Sequence, residues 1–358
     1  MRGTSGDPSV RTFGHPLVSV VTPVYNGAAH LAECIESVLK QTYQNWDYTI
    51  VDNCSTDESA IIARRYAAKD QRIRIVENEV FQRALNNHNI ALSLISPAAK
   101  YCKVVFADDW LFPECIEKMV TVAEEQPSVG IIGAYSLQGR RVMWVGLPYP
   151  SPCISGRDLC RQFFLDQLYI FGSATTVLYR ADLVRSRTPF FNEANIHADT
   201  EAVIAALKTW DFGFVHQVLT FTRERPGSLS AVSTELNTHV AGMLHAIVAY
   251  GADYLTPQEF KLCLDRHLRG YYDFLGKSLM LGRDKSFWAY HKQVLIDADA
   301  GFSRSRLAVA TLVKLCNAVL NPKDTFSKLL NTRRSGVATE HSHSYRSAPT
   351  TLSRFDIL

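Results

Sequence analysis

Nowhere in its 358 residues does the chain hold the run of about 18 apolar residues needed to cross a bilayer. Its longest candidate, Leu307 to Leu320, is interrupted by Lys314, so no membrane-spanning segment is predicted. A dense Lys/Arg tract is also missing, and a net charge of +3 is too small to favour nucleic acid as a partner. The eight cysteines (Cys34, Cys54, Cys102, Cys115, Cys153, Cys160, Cys263 and Cys316) form no CxxC pair. Zinc spacing is therefore absent and a disulfide framework is not expected; the thiols read as buried groups of a cytoplasmic protein. The opening "MRGTSGDPSVRTFGHP" is polar and holds Gly and Pro, unlike a secretory signal. No GxGxxG or GxxxxGK[ST] follows a predicted strand, which removes the main support for a dinucleotide enzyme or a P-loop NTPase.

What is present is alternation. "LVSVVTPVYNG" (Leu17 to Gly27) predicts a strand and a turn, and Leu31, Ile35, Val38 and Leu39 then follow a helical period. A strand over Asp47 to Asp52 leads into "NCSTDES", where Ser55 and Glu58 have capping-box spacing for a helix running to about Lys69. Ile73 and Ile75 suggest a third strand, about Leu85 to Ser96 a helix, Tyr101 to Phe106 a buried strand and Val129 to Ala134 another. Strands alternating with helices of this length predict an α/β fold, a mostly parallel sheet sandwiched by helices. Further on, the pattern predicts a strand within Phe171 to Leu183, a helix over about Thr200 to Thr209 and a strand near "FGFVHQVLTFTRE". Beyond about Leu236 it turns helical, over 240–250, 260–281, 286–298 and 305–320. The predicted organisation is a flexible N-terminus (1–15), a catalytic domain (16–235), a helical C-terminal region (236–330) and a disordered polar tail (331–358).

In sheets of this kind ligands bind at the carboxyl ends of the strands. Three such ends are polar: "TPVYN", "DNCSTD" and "ADDW". Two adjacent carboxylates at a strand end, Asp108 and Asp109, gain nothing from burial but suit a hard cation, Mg²⁺ or Mn²⁺, that bridges phosphate oxygens. The bland alternative is that they cap the helix after Pro113. Asp52 is placed to accept a hydrogen bond from a nucleobase N–H, with Asn53 beside it. The backbone of Thr22, Pro23, Val24, Tyr25 and Asn26, with the Tyr25 ring, is placed to line a nucleobase site.

The run "VSVVTPVYNGAAHLAECIESVLKQTYQNWDYTIVDNCSTDESAIIARRYA", followed by "ADD", resembles the start of an inverting family-two glycosyltransferase with the GT-A fold. The matching motifs are Pro23, Tyr25 and Asn26; Ser37 to Thr42; Asp52 to Asp57; and the pair Asp108 and Asp109. The resemblance extends over about residues 17 to 230. It implies that Thr22, Pro23, Tyr25, Asn26 and Asp52 hold the nucleoside of a nucleotide-sugar, with Asn87 and Asn89 near the donor. Asp108 would contact ribose or sugar, and Asp109 would ligate the metal at the diphosphate. Two departures stand out: Asn53 and Cys54 where the family has Asp and Gly, and Phe106 where it has a further acidic residue. Inversion needs a base for the acceptor hydroxyl. By resemblance that base is Asp199 in "IHADTEAVI", with Glu201 as runner-up, helix capping as the plainer role of Asp199, and His197 as a loop histidine. "FTRERPGSLS" resembles a loop that closes over the diphosphate, which implies phosphate pairing by Arg223 or Arg225.

The expected activity is metal-dependent, inverting transfer of a sugar, from a UDP-sugar first of all, to a hydroxyl of a glycan, lipid-linked or other acceptor in polysaccharide biosynthesis. The alternatives are a non-catalytic nucleotide-sugar-binding module and a sugar-phosphate nucleotidyltransferase; the latter expects a Gly-rich basic loop where "TPVYNG" stands. The C-terminal helices, with Arg304, Arg306, Lys314, Lys323 and Lys328, are open to three uses: packing on the catalytic domain, forming a homo-oligomer, or peripheral contact with an anionic membrane. The expected location is the cytoplasm, at the inner membrane face in the last case.

Overall fold

The computed structural model describes residues 15–224, 233 and 236–320. The predicted N-terminal segment before residue 15, Arg225 and the polar tail lie outside the described residues. β1 (Val18–Val24) is buried along its whole length, as a strand covered by helices on both faces must be. There follow α1 (Ala28–Leu39), β2 (Trp46–Asp52), α2 (Ser59–Ala67), β3 (Ile73–Glu77), α3 (Ala84–Ser93) and β4 (Tyr101–Val104). Their strands pair in parallel in the order β3-β2-β1-β4, with Val24 level with Asp52 and Val21 with Val104. The register brings the carboxyl ends of β1, β2 and β4 to one edge of the sheet.

The second half adds β5 (Trp110–Leu111), α4 (Cys115–Glu125), β6 (Val129–Gln138), β7 (Arg141–Met143), β8 (Cys153–Ile154) and α5 (Gly156–Asp166). After a 3-10 turn at Ala174–Thr176 come β9 (Val177–Arg180), α6 (Ala181–Arg185), α7 (Ala198–Ala206) and β10 (Asp211–Thr222). The sheet continues β4-β9-β6-β10-β5. β9 runs antiparallel to both of its neighbours, while β6 and β10 are parallel. The α/β sandwich expected from the sequence is thus present as a mixed sheet. One apolar layer, with Val20, Leu31, Ile35, Met119 and Ile132, lies against α1 and α4. The other, with Phe164, Phe171, Tyr179, Ile204 and Phe212, lies against α5 and α7.

Among the described residues four helices follow: α8 (Thr238–Tyr254), α9 (Pro257–Met280), α10 (Lys285–Asp297) and α11 (Arg304–Leu320). α9 starts on a capping box formed by Thr256 and Glu259, with Pro257 in its first turn. α8 is not a detached appendage, because Ile247 and Tyr254 belong to the same core as Phe164 and Phe212. Apolar residues of α8 to α11, among them Leu244, Tyr271, Leu275, Phe287 and Leu295, form a further core. No helix of the described residues is long and apolar enough to cross a membrane.

One local expectation fails. The Ser55–Glu58 capping box does not form, and α2 begins only at Ser59. The Ser55 hydroxyl instead accepts from the Asn26 backbone N–H at 3.0 Å, and Ser59 and Asp57 accept from Gly27 and Ala28. The segment 53–58 therefore laces two strand ends together before the chain turns helical.

Candidate active site

The turn after β2 shows what Asp52 is doing. Its Oδ2 accepts the Ser55 backbone N–H at 3.0 Å, an Asx-type turn that fixes the carboxylate. Its Oδ1 is buried and has no hydrogen-bond partner. A buried carboxylate oxygen left unpaired is costly, so the end of β2 carries an acceptor that the fold itself does not satisfy. Asn53 completes the turn and is itself buried. Its Nδ2 donates to the Gln82 carbonyl, and its Oδ1 accepts from Gln82 N and Asn78 Nδ2. Asn78 Nδ2 also donates to Asn87 Oδ1 at 2.9 Å. The residue that replaces the family's second Asp is therefore a clamp on the 78–82 loop. Cys54 sits at φ +58° where the family's Gly would be, so the turn geometry survives the loss of glycine.

Several residues expected to touch the donor have side chains that are buried or bonded within the fold. Thr22 is fully buried, its Oγ1 donating to the Val105 carbonyl at 2.7 Å and lying 2.8 Å from the Tyr48 hydroxyl. Pro23, Val24 and Asn87 are buried as well. Asn89 is committed to the loop before α7: its Nδ2 donates to the Phe191 carbonyl and its Oδ1 accepts from Phe191 N. That loop and α3 are thereby locked to one another. The side chains left facing outward are Tyr25, exposed and edge-on to Phe81 at 4.9 Å, and Asn26, whose Oδ1 accepts from Thr56 N. Gly27 follows because nothing larger fits: a Cβ there would lie 2.8 Å from Val24 Cγ2 and 3.2 Å from Ala107 Cβ.

Beyond β4 the two aspartates part company. Asp109 is buried, its Oδ1 accepting from Arg223 N at 3.0 Å with Thr175 also bonded to it. Burial, then the neighbouring Asp108 charge, pushes its carboxyl up to about 7. Asp108 is partly exposed, and its backbone carbonyl accepts from Arg223 Nε. The Arg223 guanidinium goes on to Glu33, with Nη2 2.5 Å from Oε2. The arginine thus ties the end of β10 to the aspartate turn and to α1. The alternative role of the aspartates as helix caps is not seen; Glu114 stands at the α4 cap and no side chain bonds there. Phe106, in the place of the family's further acidic residue, stacks on His88 at 4.8 Å. Burial lowers His88 to about 4, so it stands neutral under the aspartate turn.

Sequence reasoning missed two supports of this turn. Lys103 is wholly buried in β4 and donates through Nζ to the carbonyls of Thr175 (2.6 Å) and Val177 (3.0 Å). Thr175 Oγ1 in turn accepts from Phe106 N at 3.1 Å. The signal was a lysine in the middle of an apolar strand, "YCKVVF".

Asp199 lies in the first turn of α7 but does not cap it, because His197 occupies the cap position. Its Oδ1 accepts from Thr200 N at 2.7 Å. Desolvation raises its carboxyl above the ordinary value, against the opposing Thr200 bond and the nearby His239. Glu201, one turn position on, is engaged on every side. Asn192, Asn195 and the Tyr250 hydroxyl donate to it, and Arg187 and His245 lie 3.6 Å away. Burial alone would raise this carboxyl, but those bonds hold it down at about 2, the reverse of what a base needs. His197 is no idle loop residue: its Nε2 lies 2.9 Å from Thr238 Oγ1 and joins α7 to α8.

Sequence comparison decides the family. A family model described as "Glycosyl transferase family 2" matches residues 19–185. The glycosyltransferase GlyG of Streptococcus pneumoniae serotype 4 is 35% identical over 239 residues, covering 62% of this chain and 75% of that protein. The chain is a family-two glycosyltransferase. The putative glycosyltransferase EpsE of Bacillus subtilis is 32% identical over 153 residues, 40% of this chain and 54% of its own length. Among solved structures, Staphylococcus aureus TarS 1-349 in complex with UDP-GlcNAc has a TM-score of 0.58 at 17% identity, covering 89% of this chain and 92% of that one. The mannosyltransferase PcManGT of Pyrobaculum calidifontis, in complex with GDP-Man and Mn²⁺, gives 0.50 at 16%, covering 90% and 85%. At such identities these neighbours establish the GT-A fold that the family-two glycosyltransferase shares with them.

Proposed function

We propose that the protein carries out metal-dependent, inverting transfer of a sugar from a nucleotide diphosphate, a UDP-sugar in the first instance, to a hydroxyl acceptor of a glycan or lipid-linked kind. The observation that carries this reading is Asp52 Oδ1, a buried acceptor with no partner at the end of β2. A pyrimidine base offers a ring N–H for that atom, with Tyr25 and Phe81 beside it as the aromatic edge. The neighbouring folds solved with UDP-GlcNAc and with GDP-Man and Mn²⁺ support a nucleotide-sugar and a divalent ion.

The donor set at Asp108 and Asp109 fits such an ion: both supply hard carboxylate oxygens, and burial with the Asp108 charge beside it makes a bare Asp109 carboxylate unfavourable, which a cation would relieve. Among the described residues no group of three or more ligating side chains gathers there. A Mg²⁺-type ion held by these two carboxylates would take its remaining ligands from substrate phosphates and water. When bound, the ion would neutralise charge on the departing diphosphate. Asp199 Oδ1 is held by Thr200, so Oδ2 is the atom to take the acceptor's proton. The acceptor oxygen bonds to the anomeric carbon as the bond to phosphate breaks, and the nucleoside diphosphate leaves from the opposite face. A raised carboxyl suits this base, and the low value of Glu201 removes the runner-up. Asp199→Asn tests the assignment: nucleotide binding should persist while transfer falls by about 10²-fold or more. Transfer at the wild-type rate would refute it.

A second part of the proposal concerns α11. Val309, Leu312, Val313, Val319 and Leu320 are exposed on it, Arg304 and Arg306 are exposed at its start, and it holds no acidic residue. An apolar stripe beside cationic side chains is the composition that lies on an anionic bilayer surface.

A further inference from the structure

Immediately after β7 stands Trp144, a bulky side chain held at φ +66°. Residues other than glycine rarely adopt this backbone region, and such outliers gather at functional sites. The indole Nε1 is buried with no hydrogen-bond partner, although buried tryptophan N–H groups usually find one. The ring meets Tyr169 at 5.4 Å with a tilt of 51°. The Tyr169 hydroxyl lies 2.7 Å from Thr200 Oγ1, and Thr200 N donates to Asp199 Oδ1. Gly146, at φ +139°, lets this loop lie directly on the segment leading into Tyr169, since a Cβ there would come 2.5 Å from Leu168 Cδ1. Tyr179 adds a second buried polar group without a partner, its hydroxyl, close enough for the Asp199 charge to act on it.

A short aromatic wall thus ends beside the base, and unsatisfied polar atoms stand along it. A sugar ring has the complementary surface: an apolar C–H face that lies against aromatic rings, rimmed by hydroxyls that accept from N–H groups. We propose that Trp144 and Tyr169 form the acceptor subsite, and that it takes a pyranose-sized ring. The C–H face rests on the two aromatics, one ring hydroxyl accepts from Trp144 Nε1, and a neighbouring hydroxyl reaches Asp199 Oδ2. A lipid portion of an acceptor, if there is one, is not what this wall recognises. The inference rests on the transferase reading above and adds to it the chemical class of the acceptor's reacting end.

The test is saturation-transfer NMR on the full chain with Mg²⁺, using the methyl glycosides of glucose, galactose, mannose and N-acetylglucosamine, with octanol as the lipid control. Binding of UDP, GDP and dTDP is followed in parallel. At least one methyl glycoside should receive saturation where octanol does not. In Trp144→Leu its binding should fall about five- to tenfold, in Trp144→Phe by less, and nucleotide binding should be unchanged in both. The proposal is overturned if a nucleotide binds the wild type but no glycoside does, if octanol alone binds, or if glycoside binding is undiminished in Trp144→Leu. Loss of nucleotide and glycoside together in Trp144→Leu overturns it as well, because the indole would then hold the fold. Failure of every nucleotide to bind the wild type is a separate outcome that removes the transferase reading itself and this inference with it.

Discussion

Replacing Glu201 by Gln removes a charge that five neighbours hold in place. Its carboxyl, ordinarily near 4.5, is brought down to about 2, a difference equivalent to about 3 kcal/mol at neutral pH. The side chain is only 7% exposed, so solvent screening removes little of that. Glutamine also turns a donor toward Asn192 and Asn195, whose side-chain amides already donate to this site. The sign follows from the depressed folded value: the contribution is complete above the unfolded value near 4.5 and fades as pH falls toward 2. Urea denaturation of wild type and Glu201→Gln should therefore differ by about 3 kcal/mol at pH 7 and by about 1 kcal/mol at pH 3. At pH 7 the surviving folded variant should lose far less transfer activity than Asp199→Asn. A difference below about 0.5 kcal/mol at pH 7, or one that does not shrink on acidification, would refute the assignment of Glu201 as the ionic anchor of α7.

Three further outcomes are expected. Asp52→Asn can keep the Ser55 bond through its one amide oxygen, which puts an NH2 donor where the acceptor Oδ1 stands, and should weaken nucleotide binding by about 10- to 100-fold with little change in melting temperature; calorimetry with UDP reads this directly. Because Asp109 ionises only near 7, Mn²⁺ affinity should rise with pH and fall by about tenfold per unit below about pH 7; electron-spin titrations of Mn²⁺ at pH 6, 7 and 8 give the slope, and a flat profile would contradict it. The protein should co-sediment with anionic but not neutral vesicles, and replacing Leu312 and Val313 together by Gln should abolish this; equal sedimentation of that variant would remove α11 from the account.

Much of the fold could be read in the chain because the signals were local. The apolar run ending at Val24, the one ending at Asp52 and the helical periods beyond residue 236 each reappear as elements within a few residues of their expected bounds. β9 was harder to place: it reads as a strand in isolation, but only its pairing with β4 and β6 makes it antiparallel. The motifs marked turns at the carboxyl edge of the sheet without saying which side chains are buried there. Thr22 and Asn53 are buried scaffolding, because a hydroxyl bonded to Val105 and an amide bonded to Gln82 depend on partners far apart in sequence. Lys103 and Trp144 were overlooked for the same reason: the carbonyls that hold Lys103 lie 72 and 74 residues away, and the ring that meets Trp144 is that of Tyr169.

The central claim is that the edge formed by Asp52, Asp108 and Asp109 holds a nucleoside diphosphate through a divalent ion. Titration calorimetry of UDP, GDP and dTDP into the full chain, with and without Mn²⁺, tests it most directly. The account predicts that one of them, UDP first, binds with Mn²⁺, and that binding collapses without the metal and again in Asp109→Asn. A folded protein that binds none of the three, or binds one equally well with and without metal and in the variant, would contradict it.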